Sequence, residues 1–174
     1  MRRSLPLLLL CAAATAAGAW LSFPLPGLET PVSLQTVVVC FAGLVLGPAR
    51  AMAAMAIYLA LGAAGLPVFA NGASGLDTLQ GPTAGYLAGF IAAQPVIALA
   101  MFLFSDDQRI VRNLFAAVCG HAVILALGVL WMQHFQVWSW YKTLEAGLWP
   151  FLPGAAVKSV VAALAAAWVE STRS

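Results

Sequence analysis

The sequence predicts an all-α membrane protein: six transmembrane helices in one bundle, with an ordered glycine-rich loop between the third and fourth. Three observations carry that expectation. Hydrophobic residues make up 63% of the 174 residues and charged residues only 8%, where a soluble domain averages about 45–50% and about 25%. The apolar residues, with a mean hydropathy of +0.94, fall into long runs, and a membrane helix needs roughly 20 such residues to cross the hydrocarbon. Between two of those runs lies GAAGLPVFANGASGLDTLQGPTAGY, residues 62–86, whose composition is not that of an ordinary connector. All of residues 1–174 are read as a single integral membrane substrate-binding domain, without an internal repeat or a soluble second domain.

The first run, residues 5–23, follows Arg2 and Arg3 and has the layout of a secretory signal peptide. It continues without a polar break for a spanning length, and more spans follow, so an uncleaved helix is expected. Large residues Leu8 to Leu10 ahead of Cys11 argue against a lipoprotein anchor. Ala12/Ala16 and Ala13/Ala17 form two overlapping small-xxx-small patterns on neighbouring faces. That spacing lets a second helix approach closely, and packing inside its own bundle gives the same composition. A loop over residues 24–33 carries Glu29 and Pro31; a short second helix, residues 34–46, then ends at Gly47-Pro48. The third helix covers residues 49–64, with Arg50 near its start.

In the loop that follows, glycines and Pro67 and Pro82 permit left-handed and tight-turn backbone. Leu66, Val68, Phe69, Leu76 and Leu79 are side chains that a freely exposed loop does not favour. A long loop without secondary structure of its own is usually functional or disordered, and this composition argues against disorder. It reads as an ordered lid over something held by the helices. The fourth helix, residues 84–104, contains Gln94-Pro95 as an expected kink. A charged loop with Asp106, Asp107 and Arg109 leads to the fifth helix, residues 112–132, which contains His121. The connector over residues 133–148 holds Phe135, Trp138, Trp140 and Tyr141, rings that suit a membrane interface or a ligand surface. The sixth helix, residues 150–169, contains Lys158.

Six helices put both termini on one side. Assigning that side to the cytoplasm places Arg2, Arg3, Arg50, Arg109, Arg112 and Arg173 inside and leaves Lys142 among the loop cations outside, a strong positive-inside asymmetry. The lid, the first loop and the aromatic connector then face outward, where together they can close one pocket.

A net charge of +2 is too small to point to nucleic acid. Cys11, Cys40 and Cys119 lie inside apolar runs and read as small buried hydrophobes, neither disulfide nor metal ligands. There is no GxxxxGK[ST] phosphate loop for ATP hydrolysis. Asp106 and Asp107 read as solvated, and His121, with no second histidine at helical spacing, reads as a packing residue. No catalytic residue, metal or cofactor is expected. Lys158 is the sharpest signal: a cation in an apolar helix costs about 2.5–3.5 kcal/mol and calls for a partner or a role. Gly154 and Ala155, one turn earlier, supply no carboxylate. The partner is therefore distant in sequence, a ligand anion, or solvent reached by snorkelling. Candidate binding residues are Lys158, Gln35, Phe69, Asn71, Tyr86 and Trp140. Thr36, Asp77, Thr78, Gln80, Thr83 and Trp138 complete the wall of a site for a small, partly apolar molecule.

With these residues in place, the chain resembles the BioY family, the biotin-specific S components of energy-coupling-factor (ECF) vitamin transporters. The resemblance is carried by PVSLQT at residues 31–36, LGP at 46–48, YLALG at 58–62 and GLPVFA at 65–70. It continues in GPTAGY at 81–86 and in FLPG at 151–154 with Lys158, in family order across most of the chain. It implies an S-component-like bundle in a bacterial cell membrane that captures biotin from outside. Implied partners are a transmembrane T component, docking on Ala12, Ala13, Ala16 and Ala17, and a pair of ABC-type ATPases; the S component works with that module or alone. One departure stands out. Family members often carry Asp three residues before the lysine, where this chain has Ala155, so an Asp–Lys pair does not carry over. From the residues alone, other readings stay open: an S component for another vitamin-like molecule, an intramembrane enzyme using Lys158, His121 and a loop carboxylate, or a scaffold subunit.

Overall fold

A computed structural model of the chain describes residues 5–23, 32–104 and 108–172. Expectations for Arg2, Arg3, Glu29, Pro31, Asp106, Asp107 and Arg173 lie outside them. The first apolar run forms α1 (Leu5–Trp20), whose end enters a short antiparallel ribbon of β1 (Ser22–Phe23) and β2 (Val32–Ser33), with Ser22 opposite Ser33. The Leu34 N–H donates to the Gly18 carbonyl at 3.1 Å. A Cβ on Gly18 would sit 3.1 Å from the Gln35 backbone, so this glycine sets how closely α1 meets the next helix. That helix, α2 (Gln35–Leu46), stops at Gly47, whose φ of 77° is open to glycine. Pro48 then occupies the first turn of α3 (Pro48–Ala63), where its missing N–H costs nothing.

Three helical stretches, Ala84–Phe102, Arg109–Gln136 and Trp140–Ser171, are long and apolar enough to cross a membrane. The first two are α5 and α6 in chain order, after the short α4 (Leu76–Gln80) of the lid. The third divides into α7 (Trp140–Gly147), a 3₁₀ turn (Trp149–Phe151) and α8 (Leu152–Ser171). Among the described residues, α1, α2 and α3 are shorter apolar helices. At about 1.5 Å per residue they extend only about 18–24 Å, short of the roughly 30 Å of hydrocarbon. α2 lies at the centre of the packing, in contact with α1, α3, α5, α6 and α8. Between α5 and α6 the backbones nearly touch: a Cβ on Gly89 would lie 2.8 Å from Ile124 Cα. Small residues permit that approach where no hydrophobic effect separates helix from lipid. Tyr58, Met55, Ile97, Ile124 and Met132 are among the fully buried core side chains.

Several boundaries differ from the sequence reading. The fifth helix starts at Arg109 and runs to Gln136, beyond its apolar run, because backbone hydrogen bonding continues through the polar Gln133 and Gln136 until Val137 turns left-handed. Arg112, expected as a loop-side cation, is buried instead. Its guanidinium holds Glu170 of α8 at 2.8 and 2.9 Å, and Asn113 donates to the same carboxylate at 3.3 Å. The aromatic connector is partly helical, with Ser139 capping α7 by accepting from the Lys142 N–H. α5 continues through Pro95 as one helix.

The loop between α3 and α5 is built rather than loose, and it has secondary structure of its own: a 3₁₀ turn (Ala70–Gly72) followed by α4. Side chains from three helices fasten it by its carbonyls. Trp20 reaches Pro67 at 2.9 Å, Tyr58 reaches Val68 at 3.0 Å, and Trp131 reaches Gly81 at 2.8 Å. A backbone bond of 2.7 Å from Gly75 to Gly62 closes its base. Phe69 is buried edge-on to Tyr58, with ring centroids 5.6 Å apart, over Gly62, where a Cβ would run into the ring. Leu66 and Leu76 stay exposed, so the loop buries one anchor and not all its apolar side chains.

Candidate functional site: a cavity beneath the lid

At the lid end of the bundle lies a cavity of about 290 Å³, at the low end of the range for small-molecule sites, roughly 300–1,000 Å³. The lid contributes Phe69, Asn71, Ala73 and Thr78; Ser33 comes from β2, and Gln35 and Thr36 from the start of α2. α5 supplies Tyr86, Leu87 and Phe90 behind Thr83, and α6 supplies His121, Ile124 and Leu125. Phe151, Ala155 and Lys158 close the remaining side. The walls are thus mainly apolar, with polar groups at a few points, as a site for a partly apolar molecule requires.

One polar chain links the helices to the lid. Ser33 donates to Gln35 Oε1 at 2.9 Å, the Gln35 amide donates to the Tyr58 hydroxyl, and Tyr58 donates to the Val68 carbonyl. Gln35 is therefore held by both ends of its amide, which fixes its orientation at the cavity wall. The Tyr86 hydroxyl is also engaged, donating to the Gly147 carbonyl at 2.7 Å, so Tyr86 offers the cavity mainly its ring. Asn71, left-handed at φ 59°, accepts from Ser22 at 2.7 Å and ties the 3₁₀ turn to the ribbon.

Lys158 is half-buried on α8, and its side chain runs back toward the lid end, as helical side chains lean toward the N-terminus. Its Nζ lies 3.9 Å from where a Cβ on Gly154 would be, so that glycine leaves it room. Among the described residues no carboxylate is paired with it. His121, 4% exposed on α6, has its Nδ1 2.9 Å from Ser159 Oγ, 3.1 Å from the Ala117 carbonyl and 3.4 Å from Cys40 Sγ.

The structure brings Lys158, Gln35, Phe69, Asn71 and Tyr86 together, along with Thr36, Thr78 and Thr83. It leaves out Trp140, Trp138, Asp77 and Gln80. Trp140 is 53% exposed because α7 buries Thr143 and Gly147 and turns its aromatic face away from the bundle. Trp138 instead carries the Lys142 ammonium 4.1 Å above its ring. Sequence reasoning missed Phe90, Leu87, Ile124 and Leu125. Helical spacing was the available signal: Phe90 lies four residues after Tyr86, and Ile124 and Leu125 lie three and four after His121. His121, read as a packing residue, is buried against Ala117 and Ser159 and also lines the cavity.

On α1, the two alanine patterns separate. Ala12 is in the core and Ala16 is half-buried against it, whereas Ala13 and Ala17 are exposed.

A family model described as the BioY family matches residues 2–174. The chain belongs to the BioY family. Its relatives include the biotin transporter BioY of Thermotoga maritima, 42% identical over 149 residues, covering 86% of this chain and 85% of that protein. The biotin transporter BioY2 of Lactococcus lactis is 32% identical over 131 residues, 75% of this chain and 71% of the relative. The probable biotin transporter BioY of Pyrococcus horikoshii is 33% identical over 164 residues, 94% of each chain. In fold, this BioY-family chain matches the crystal structure of the S-component for biotin from an ECF-type ABC transporter. The TM-score is 0.87 at 21% identity, covering 97% of this chain and 91% of that one.

Proposed function

We propose that this chain captures biotin in the cavity beneath the lid and passes it across the bacterial cell membrane as the S component of an ECF-type transporter. The observation that carries the proposal is the pairing of the Lys158 ammonium, without a carboxylate partner among the described residues, with a mainly apolar cavity of about 290 Å³. Biotin has the complementary make-up: an ionised carboxylate on an apolar chain that ends in a ureido ring. A buried cation left without an anion is costly, and the ligand carboxylate removes that cost.

In this reading residues 1–174 act as one membrane domain of six spans with both termini cytoplasmic, and the lid faces outward. Uptake against a gradient draws on ATPase subunits through a transmembrane T component, which meets α1 through Ala13 and Ala17. The chain moves its ligand without chemical change, in keeping with relatives that are named as transporters. The test is a thermal-shift screen of vitamin-sized ligands on the detergent-purified chain. Biotin is expected to raise the melting temperature saturably and to be recovered unaltered. A larger shift with another vitamin, or turnover of biotin, overturns the assignment.

A further inference from the structure

Three neighbours surround Nδ1 of His121, and each has already spent its hydrogen or has none. The Ala117 carbonyl, 3.1 Å away, can only accept. The Ser159 hydroxyl donates its single hydrogen to the Ala155 carbonyl at 2.9 Å, so toward His121, also at 2.9 Å, it presents lone pairs. The Cys40 thiol, 3.4 Å from Nδ1, has its own acceptor in the Ala117 carbonyl at 3.8 Å. The carbonyl can only accept, so it calls for a proton on Nδ1, which the other two arrangements accommodate, and in the neutral ring Nε2 is then an acceptor. That Nε2 is buried and has no hydrogen-bond partner among the described residues. Thr36 Oγ1, from the same cavity wall, shares this condition. Buried polar atoms are rarely left so, because an unpaired one carries its desolvation cost uncompensated.

Since His121 lines the cavity and Nδ1 is engaged on the helix side, we propose that Nε2 is a ligand acceptor, taking an N–H from the bound molecule. Resting on the reading of the ligand as biotin, the donor is a ureido N–H. Lys158 and His121 then divide the ligand: a cation for the carboxylate, a neutral lone pair for the ring. The site discriminates in favour of a cyclic urea and against an analogue whose ring nitrogens carry no hydrogen, because that analogue leaves Nε2 unpaired.

The wild-type chain can report this directly. It contains two histidines, His121 and His134, so ¹⁵N-histidine labelling gives two ring spectra, and His134→Gln assigns them. Expected for His121 is a protonated Nδ1 and an unprotonated Nε2, with the Nε2 resonance alone moving upfield when biotin is added. A proton on Nε2, a doubly protonated ring, or an unmoved Nε2 in a chain that biotin demonstrably stabilises overturns the assignment while leaving biotin capture intact. No stabilisation by biotin overturns the biotin reading and the ureido donor with it; the tautomer is still read from the unliganded spectrum. As a second measurement, His121→Phe should weaken biotin binding about three- to tenfold, the value of one hydrogen bond. It should not weaken binding of biotin methylated on both ureido nitrogens. Equal losses for both molecules would assign His121 to packing alone.

Discussion

Lys158 has room over Gly154, lies at the wall of a cavity, and has no carboxylate paired with it among the described residues. If the ligand carboxylate fills that role, Lys158→Ala removes a charged hydrogen bond worth about 1.5–3 kcal/mol, or roughly ten- to 150-fold in affinity. The variant should also lose its preference for biotin over biotin amide, which has no charge to pair; equilibrium binding of the two ligands checks this. An unchanged preference with weaker binding would place the ammonium on the ureido oxygen, and wild-type affinity would make it a snorkelling side chain. Lys158 and Gln35 were legible in the sequence for one physical reason: a polar group in an apolar helix has few ways to be satisfied. Phe90 and Ile124 were not, because an apolar wall of a cavity and an apolar core residue have the same composition. Trp140 lies away from the cavity wall: an aromatic ring is equally at home against ligand or at an interface, and the turn of α7 exposes this one.

At the scale of elements, the lid and α1 show where a pattern in the sequence leaves off. The glycines and prolines of residues 62–86 announced an ordered loop, yet its fastening by Trp20, Tyr58 and Trp131 depends on contacts across up to 50 residues that no local pattern displays. On α1 the alanine spacing was visible, but only packing assigns its two faces. Ala12 and Ala16 serve the chain's own core, so the free face for close helix approach is Ala13 with Ala17. Replacing Ala13 or Ala17 with Leu should therefore abolish partner-dependent uptake while biotin binding by the purified chain is retained. Replacing Ala12 with Leu should instead overpack the bundle, at about 1–3 kcal/mol, and lower thermal stability. Loss of binding in the Ala13 and Ala17 variants would remove the distinction between the faces.

The whole molecule is a bundle with two unlike ends. One end carries the lid, the ribbon, α7 and the cavity; the other carries the Gly47-Pro48 turn, Arg50 and Arg109, and the Arg112–Glu170 pair joining α6 to α8. The succession of apolar helices was legible because Pro and Gly breaks punctuate the apolar runs, although α1, α2 and α3 are shorter than a bilayer is thick. The clamp was not legible, since nothing local indicates that Arg112 and Glu170, 58 residues apart, meet. The distribution of cations predicts that reporter fusions after Gln108 and after Thr172 read as cytoplasmic and a fusion at Asp77 reads as external. An external reading at Thr172 would mean that one short helix, α2 first among them, does not cross.

The proposed function places biotin inside the cavity under the lid. Isothermal titration of the detergent-purified chain, without partner subunits, tests it in wild type and in Ala73→Trp. Ala73 lines the cavity from an extended stretch of the lid, and its backbone bonds to Ala70 and Phe69 do not involve its side chain. A tryptophan there should fill the mouth without disturbing the fold. Saturable one-to-one binding in the wild type, lost in Ala73→Trp at unchanged thermal stability, is the expected result. Unaltered binding in that variant, or no binding by the wild-type chain, would mean that biotin is not held in this cavity.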